Sequence, residues 1–123
     1  MLPRRVSELI GDPAHRGQLD GATCVGEAEL GGIVRIGLWF DASGAIRRAR
    51  FRATTCAALV AYAEAACALA EGEARARAPS AERIRAAVTG VHPAHHALAD
   101  AVALAFTRAL AKQPTAASPQ ERA

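Results

Sequence analysis

The run Ile33-Val34-Arg35-Ile36-Gly37-Leu38-Trp39-Phe40, the stop at Asp41-Ala42-Ser43-Gly44 and the second run from Ala45 to Ala53 constrain this chain more than any other feature. Val34, Ile36, Leu38 and Phe40 share one face at period two, as a half-buried strand requires. Asp suits the first position of a tight turn and Gly the last. In the second run Ala49, Phe51 and Ala53 point one way and Arg48, Arg50 and Arg52 the other. The pattern predicts an antiparallel hairpin with one buried and one wet face. The arginine row is that wet face, or alternatively a docking surface for an acidic partner.

The rest of the chain reads as helix and loop around this hairpin. Val6, Leu9 and Ile10 predict a short helix over 4–10, ended at Asp12-Pro13 because proline disfavours helix in the residue before it. Residues 11–32 are glycine-rich and read as loop, with one short strand around Thr23–Gly26. A helix is expected from Ala57 to about Leu69, capped by Thr54 or Thr55 and stopped by Gly72. A second covers roughly 80–88, with Ser80 as cap and Gly90 as stop. A last helix is opened by Pro93 and runs to about Lys112, with Leu98, Val102, Ala105 and Phe106 as its apolar stripe. Residues 113–123 are polar, contain two prolines and are expected to be disordered. The chain is thus one α+β domain over 1–112 with a tail at 113–123.

Composition narrows the function classes. Of 123 residues 51% are apolar, but much of that is alanine, and aromatics are only 4%. The net charge of +3 does not by itself indicate nucleic acid, and the aromatics are too few for a base-stacking platform. No apolar run approaches the roughly 20 residues of a membrane helix. The start lacks the apolar stretch of a secretory signal, so a cytoplasmic protein is expected. Phosphate-binding glycine loops, zinc-finger cysteine pairs and hydrolase triads are absent from the sequence, so no enzyme activity is expected.

Two places can carry chemistry. Cys56 stands where a strand hands over to a helix start, and free N–H groups and the helix dipole at such a junction favour a thiolate. Its alternative reading is a small buried residue at a tight junction. His92, His95 and His96 gather at the start of the last helix, and neutral imidazole is a good zinc or iron ligand. Their alternative is a surface helix start. Cys67 lies about three helical turns beyond Cys56 and is expected in the core, while Cys24 falls in loop or strand.

The order of these pieces resembles the IscU/NifU-like iron–sulfur scaffold family over about residues 4–111. Asp12-Pro13-Ala14-His15-Arg16-Gly17 resembles its early Asn-Pro-x-x-x-Gly segment. Val25-Gly26-Glu27-Ala28-Glu29-Leu30-Gly31-Gly32 resembles its Val-Gly-x-x-x-Cys-Gly-Asp segment. The hairpin has the family's strand lengths, and Ala49-Arg50-Phe51-Arg52 matches its Ala-Arg/Lys-Phe-Lys/Arg run. Cys56 falls at the second family cysteine, and His95-His96 where the family has His-Cys. The resemblance implies a small three-stranded antiparallel sheet with helices packed on one face. It also implies assembly of a 2Fe–2S cluster with sulfur from a cysteine desulfurase, at three cysteines and a neighbouring Asp or His. Soft thiolates suit iron–sulfur clusters and zinc alike.

The departures are specific. Leu30 stands at the first cysteine position, Gly32 at the aspartate, and His96 (or His95 with a one-residue shift) at the third cysteine. The Leu-Pro-Pro-x-Lys stretch is reduced to Val91-His92-Pro93. The implied ligands are Cys56, His95 and His96. The implied cargo is an iron–sulfur cluster or zinc; the alternative is a metal-free scaffold relic working through protein contacts.

Overall fold

The computed structural model describes residues 3–11, 13–54, 56–74 and 77–112. The expected tail at 113–123 lies outside them, as do Asp12 and Thr55.

Eight-residue strands β3 (Ile33–Phe40) and β4 (Ile46–Ala53) pair antiparallel with Ile36 opposite Phe51 and Leu38 opposite Ala49. Val34, Ile36, Leu38, Ile46, Ala49 and Phe51 are all buried on one face. The Asp41 carboxylate fastens the turn, accepting from the Ser43 hydroxyl at 2.6 Å, the Ser43 N–H at 2.9 Å and the Ala45 N–H at 3.0 Å. These bonds, the Ser43 hydroxyl foremost, hold its pKa below the ordinary value. Strand β4 begins at Ile46 rather than Ala45, because a register shift at Trp39/Phe40 places Phe40 opposite Ile46.

A third strand, β2 (Cys24–Glu29), adds to β3 and completes the sheet in the order β2-β3-β4. It is longer than the expected stretch around Thr23–Gly26. Its inward positions are Cys24, Gly26 and Ala28, small residues that blur the apolar alternation. Their smallness has a use. A Cβ on Gly26 would collide with the Ala105 carbonyl oxygen and the Ala109 nitrogen. The helix α4 (Leu98–Lys112) therefore rests on β2 backbone to backbone.

The helices cover the sheet's inner face. Helix α2 (Ala57–Ala70) is buried along nearly its whole length, which explains an alanine-rich sequence without a polar face. Helix α1 (Val6–Gly11) packs on it through the buried Leu9. Helix α3 (Ala81–Ala86) is capped by Ser80 as expected, its hydroxyl accepting from the Arg83 N–H at 3.2 Å.

Three expectations are corrected. Arg4–Arg5 form β1, not helix, and pair in parallel with β5 (Val88–Thr89), whose first residue falls at the end of the helix expected over roughly 80–88. The last helix starts at Leu98 rather than Pro93, because Pro93–His95 forms a separate 3-10 turn capped by the His92 ring. Finally, the outer sheet face is only partly wet. Leu19 and Ala22 cross it at Gly37, where a Cβ would meet Leu19 Cδ2 at 3.0 Å, and Arg50 is drawn into a half-buried charge network.

Both sheet edges are occupied. Along β4 the Ile46 N–H donates to the Glu73 carbonyl, the Ala49 N–H to the Glu71 carboxylate and the Phe51 N–H to the His15 carbonyl. Along β2 the Arg108 guanidinium donates to the Glu27 carbonyl at 3.0 Å.

Candidate functional site

Strand β4 ends at a clasp: the Thr54 N–H donates to the Ile33 carbonyl at 3.0 Å, and the Thr54 hydroxyl accepts from the Ile33 N–H at 3.2 Å. Thr54 is thereby committed to the strand end and does not cap α2. Cys56 takes the N-cap position instead, extended at φ −98° and ψ 122°, with no side-chain capping bond. Its N–H donates to the Thr54 carbonyl at 2.8 Å and its carbonyl accepts from Val60 at 3.0 Å. The thiol is half-buried. A side chain at this position sits beside the unpaired N–H groups of the first turn.

The turn between β2 and β3 lies against both helix starts. Gly31 has φ +79°, and its Cβ position is 3.3 Å from Leu98 Cδ2, the first residue of α4. A Cβ on Gly32 would lie 2.8 Å from Leu59 Cδ2 in the first turn of α2 and 3.1 Å from the Thr54 hydroxyl. An aspartate there needs those groups to move. Beside these glycines, Leu30 is 48% exposed and Ile33 38% exposed, giving the turn an apolar rim.

The three histidines lie in the 3-10 turn before α4 and are exposed. Their hydrogen bonds separate their roles. His92 Nδ1 accepts from the Ala94 N–H at 3.0 Å, so its lone pair caps the turn and is not offered to a metal. His96 Nε2 lies 3.1 Å from the Val91 carbonyl oxygen, which can only accept. That bond puts the proton of the neutral ring on Nε2 and leaves the lone pair on Nδ1, as in a metal-ligating histidine whose other ring nitrogen donates to a carbonyl. The His95 ring faces His92 at 6.1 Å between centroids. Among the described residues, no group of three or more His, Cys, Asp or Glu is placed to hold a metal ion. A complete cluster cradle is therefore not built from these residues of one chain. Cys24 lies in β2 and Cys67 in α2, both buried. Burial pushes the Cys67 thiol well above its ordinary pKa, with the Glu64 and Glu71 charges adding to it.

Sequence reasoning missed a second polar cluster. Glu64, in the middle of α2, is only 3% exposed and is the one buried charged residue among those described. Its carboxylate accepts from the His15 N–H at 2.8 Å and lies 2.6 Å from His15 Nδ1. His15 Nε2 is 3.0 Å from a Glu71 oxygen, and the other Glu71 oxygen accepts from Arg50 at 2.7 Å. With a carboxylate at each ring nitrogen the imidazole must donate twice, so it carries a proton on both. The quartet then balances two negative charges with two positive. The hydrogen bond to Glu64 is the largest influence raising the His15 pKa, against a desolvation penalty. Glu71 is held below its ordinary value: burial opposes this, and the Ala49 N–H, His15 and Arg50 outweigh it. The cluster pins residues 13–17 along β4, with the Gly17 N–H reaching the Phe51 carbonyl at 3.1 Å. The available signal was a single carboxylate inside an otherwise apolar helix.

The sequence profile of the NifU-like N terminal domain matches residues 3–116. One similar solved structure is a protein from the thermophile Fervidobacterium islandicum AW-1, assigned as an iron–sulfur cluster assembly scaffold for the SUF system. Its TM-score is 0.69 at 16% identity, covering 85% of this chain and 93% of that one. Another is the N-terminal part of a nitrogen-fixing NifU-like protein from Brucella abortus, with TM-score 0.62 at 19% identity, covering 87% and 92%. No curated protein sequence matches significantly. The three-stranded antiparallel sheet with helices on one face is the fold of those neighbours, and with the profile match spanning nearly the whole chain, this protein belongs to the NifU-like N-terminal domain family.

Proposed function

We propose that this protein is an accessory scaffold of iron–sulfur cluster assembly that engages its cargo, sulfur or a metal ion, through Cys56 with His96 or His95 in support. The observation that carries this reading is the half-buried Cys56 at the N-cap of α2, beside the Gly31-Gly32 turn that also touches the start of α4. A thiolate there is a soft ligand and a sulfur nucleophile, and His96 presents Nδ1 with its tautomer fixed by the Val91 carbonyl. Cys56, His95 and His96 do not form a three-ligand group among the described residues, so the chain alone falls short of a full cluster ligand set. The protein therefore acts with cysteine desulfurase or another assembly protein that supplies what is missing. It works in the cytoplasm, as a carrier and not as an enzyme.

Anaerobic incubation with iron and sulfide tests the reading. Charge-transfer absorbance is expected in the native protein and not in Cys56→Ala. Absence of the band, or its survival in the variant, refutes the role of Cys56.

A second reading is favoured by the apolar Leu30 and Ile33 at the rim and by the lack of a three-ligand group. In it the chain holds no metal and works through protein contacts alone. Metal analysis of the protein as isolated separates the two, and stoichiometric zinc would instead identify a mononuclear zinc site.

A further inference from the structure

Several of the described arginines have internal work. Arg35 pairs with Glu27, Arg85 with Asp100, Arg50 with Glu71, and Arg48 lies 4.9 Å over the Trp39 ring. Arg5 and Arg16, like Arg4, Arg47, Arg52 and Arg77, are exposed arginines without such a side-chain contact. Among the described residues neither forms an ion pair. Glu8, the carboxylate nearest Arg5 in sequence, accepts from the Arg5 backbone N–H at 2.9 Å at the start of α1.

These two arginines flank a shaped apolar feature. Ile10, on α1, is 37% exposed and forms the wall between two open hollows. One, of about 230 Å³, is lined by Ile10, Arg16, Ala57 and Val60. The other, of about 290 Å³, holds Ile10, Val6 and Arg5, with the backbone of Thr89-Gly90 opposite. A single exposed isoleucine is ordinary on a protein surface. An exposed isoleucine with an open hollow on each side, and in each hollow a guanidinium that forms no ion pair among the described residues, is a docking site for matching chemistry.

We infer that the Ile10 ridge with its two arginine-lined hollows binds an acidic peptide segment of a partner protein, one that carries a large apolar anchor beside Asp or Glu. Charge complementarity selects this occupant. The segment 113–123 of the chain itself holds one Glu, one Arg and no apolar side chain larger than proline, so it offers neither the charge nor the anchor. The surface is separate from the arginine row of β4, and it reaches α2 at Ala57, next to Cys56. A segment seated there would hold its parent protein beside the thiol whether or not metal is bound, so the inference stands apart from the ligand role of Cys56.

The test uses the whole chain and fluorescein-labelled peptides of about 12 residues, rich in Asp and Glu around one central Leu or Phe. Binding is read by anisotropy at salt of about 50 mM and about 300 mM. Acidic anchored peptides are expected to bind, more weakly at the higher salt. Lys-for-Glu peptides and peptides with Ala at the anchor are expected not to. Ile10→Ala should weaken binding by about fivefold or more, and Arg16→Glu by about tenfold, in variants of unchanged thermal midpoint. Arg52→Glu should leave it unchanged.

The inference is overturned if no acidic anchored peptide exceeds its Ala-anchor control. It is also overturned if Ile10→Ala and Arg16→Glu bind like the native protein, or if Arg52→Glu alone loses binding. Sedimentation showing that Ile10 mediates self-association would assign the ridge to a second copy instead. Binding to phosphatidylserine vesicles in place of the peptides would assign it to a membrane surface. Either result refutes the peptide.

Discussion

Replacing His15 by alanine should destabilise this protein more than any exposed substitution. The change strips the Glu64 carboxylate, 3% exposed, of its ring partner and leaves it only the residue 15 N–H at 2.8 Å. Removing one member of a buried ion pair costs about 3–5 kcal/mol, because the other charge stays buried. For a chain of this size each kcal/mol lowers the thermal midpoint by roughly 3–5 °C, so His15→Ala should lose roughly 10–20 °C. Glu64→Ala should cost a similar amount, and the double variant much less than the sum, with a coupling of about 2–3 kcal/mol in urea unfolding. The effect also has a pH signature. The His15 pKa is raised from 6.5, so its contribution is complete below that value and is lost as pH climbs through the folded pKa. The Glu71 pKa is lowered from 4.5, so its contribution is present above 4.5 and disappears as pH drops through its folded pKa. The stability gap between native protein and His15→Ala should therefore be widest in the mildly acidic range and shrink towards alkaline pH. Additivity of the two single variants within about 0.5 kcal/mol, or a gap that widens with alkalinity, would refute the charged quartet.

Other expectations concern packing and the site. Gly26→Ala forces a Cβ into the Ala105 carbonyl, and backbone cannot swing aside, so unfolding in urea should reveal a loss of about 3 kcal/mol or more. Gly11→Ala, with nothing within 4 Å of its Cβ, should fall between neutral and about 1 kcal/mol stabilising in the same assay. Thiol labelling of the native protein should modify Cys56 first, with Cys24 and Cys67 reacting only on unfolding, as mass spectrometry of quenched samples will reveal. Leu30→Cys restores a thiol at an exposed position and should increase metal retained after gel filtration without lowering the thermal midpoint; unchanged retention would mean the turn does not face the Cys56 thiol.

The hairpin was legible in the sequence because Val34, Ile36 and Leu38 alternate cleanly with polar or small residues. Strand β2 was half-seen, since an inner face of Cys24, Gly26 and Ala28 has little hydrophobic contrast, and what demands that smallness is a helix some 80 residues later. The two-residue pairing of Arg4–Arg5 with Val88–Thr89 is too short for any periodicity to announce. At the candidate site, the position of Cys56 at a strand–helix junction was readable from local pattern. The capping role of the His92 ring and the orientation of the His96 ring were not, because both depend on backbone groups of an irregular turn. The His15–Glu64–Glu71–Arg50 quartet joins residues from three separated stretches, and only the isolated carboxylate in α2 hinted at it.

The way the sheet finishes at its two sides limits how this protein can meet others. With the Glu71 carboxylate and the His15 and Glu73 carbonyls consuming the outward N–H groups of β4, an incoming extended chain finds no ladder to join there. On the far side Arg108 and the charges of Glu27 and Glu29 discourage the same approach. Recognition by strand addition, and the runaway stacking that exposed strands invite, are both disfavoured along β4. Encounters must instead be decided by side chains at the helix starts and turns, so single substitutions in those few places can retune the choice of partner while the scaffold beneath stays fixed.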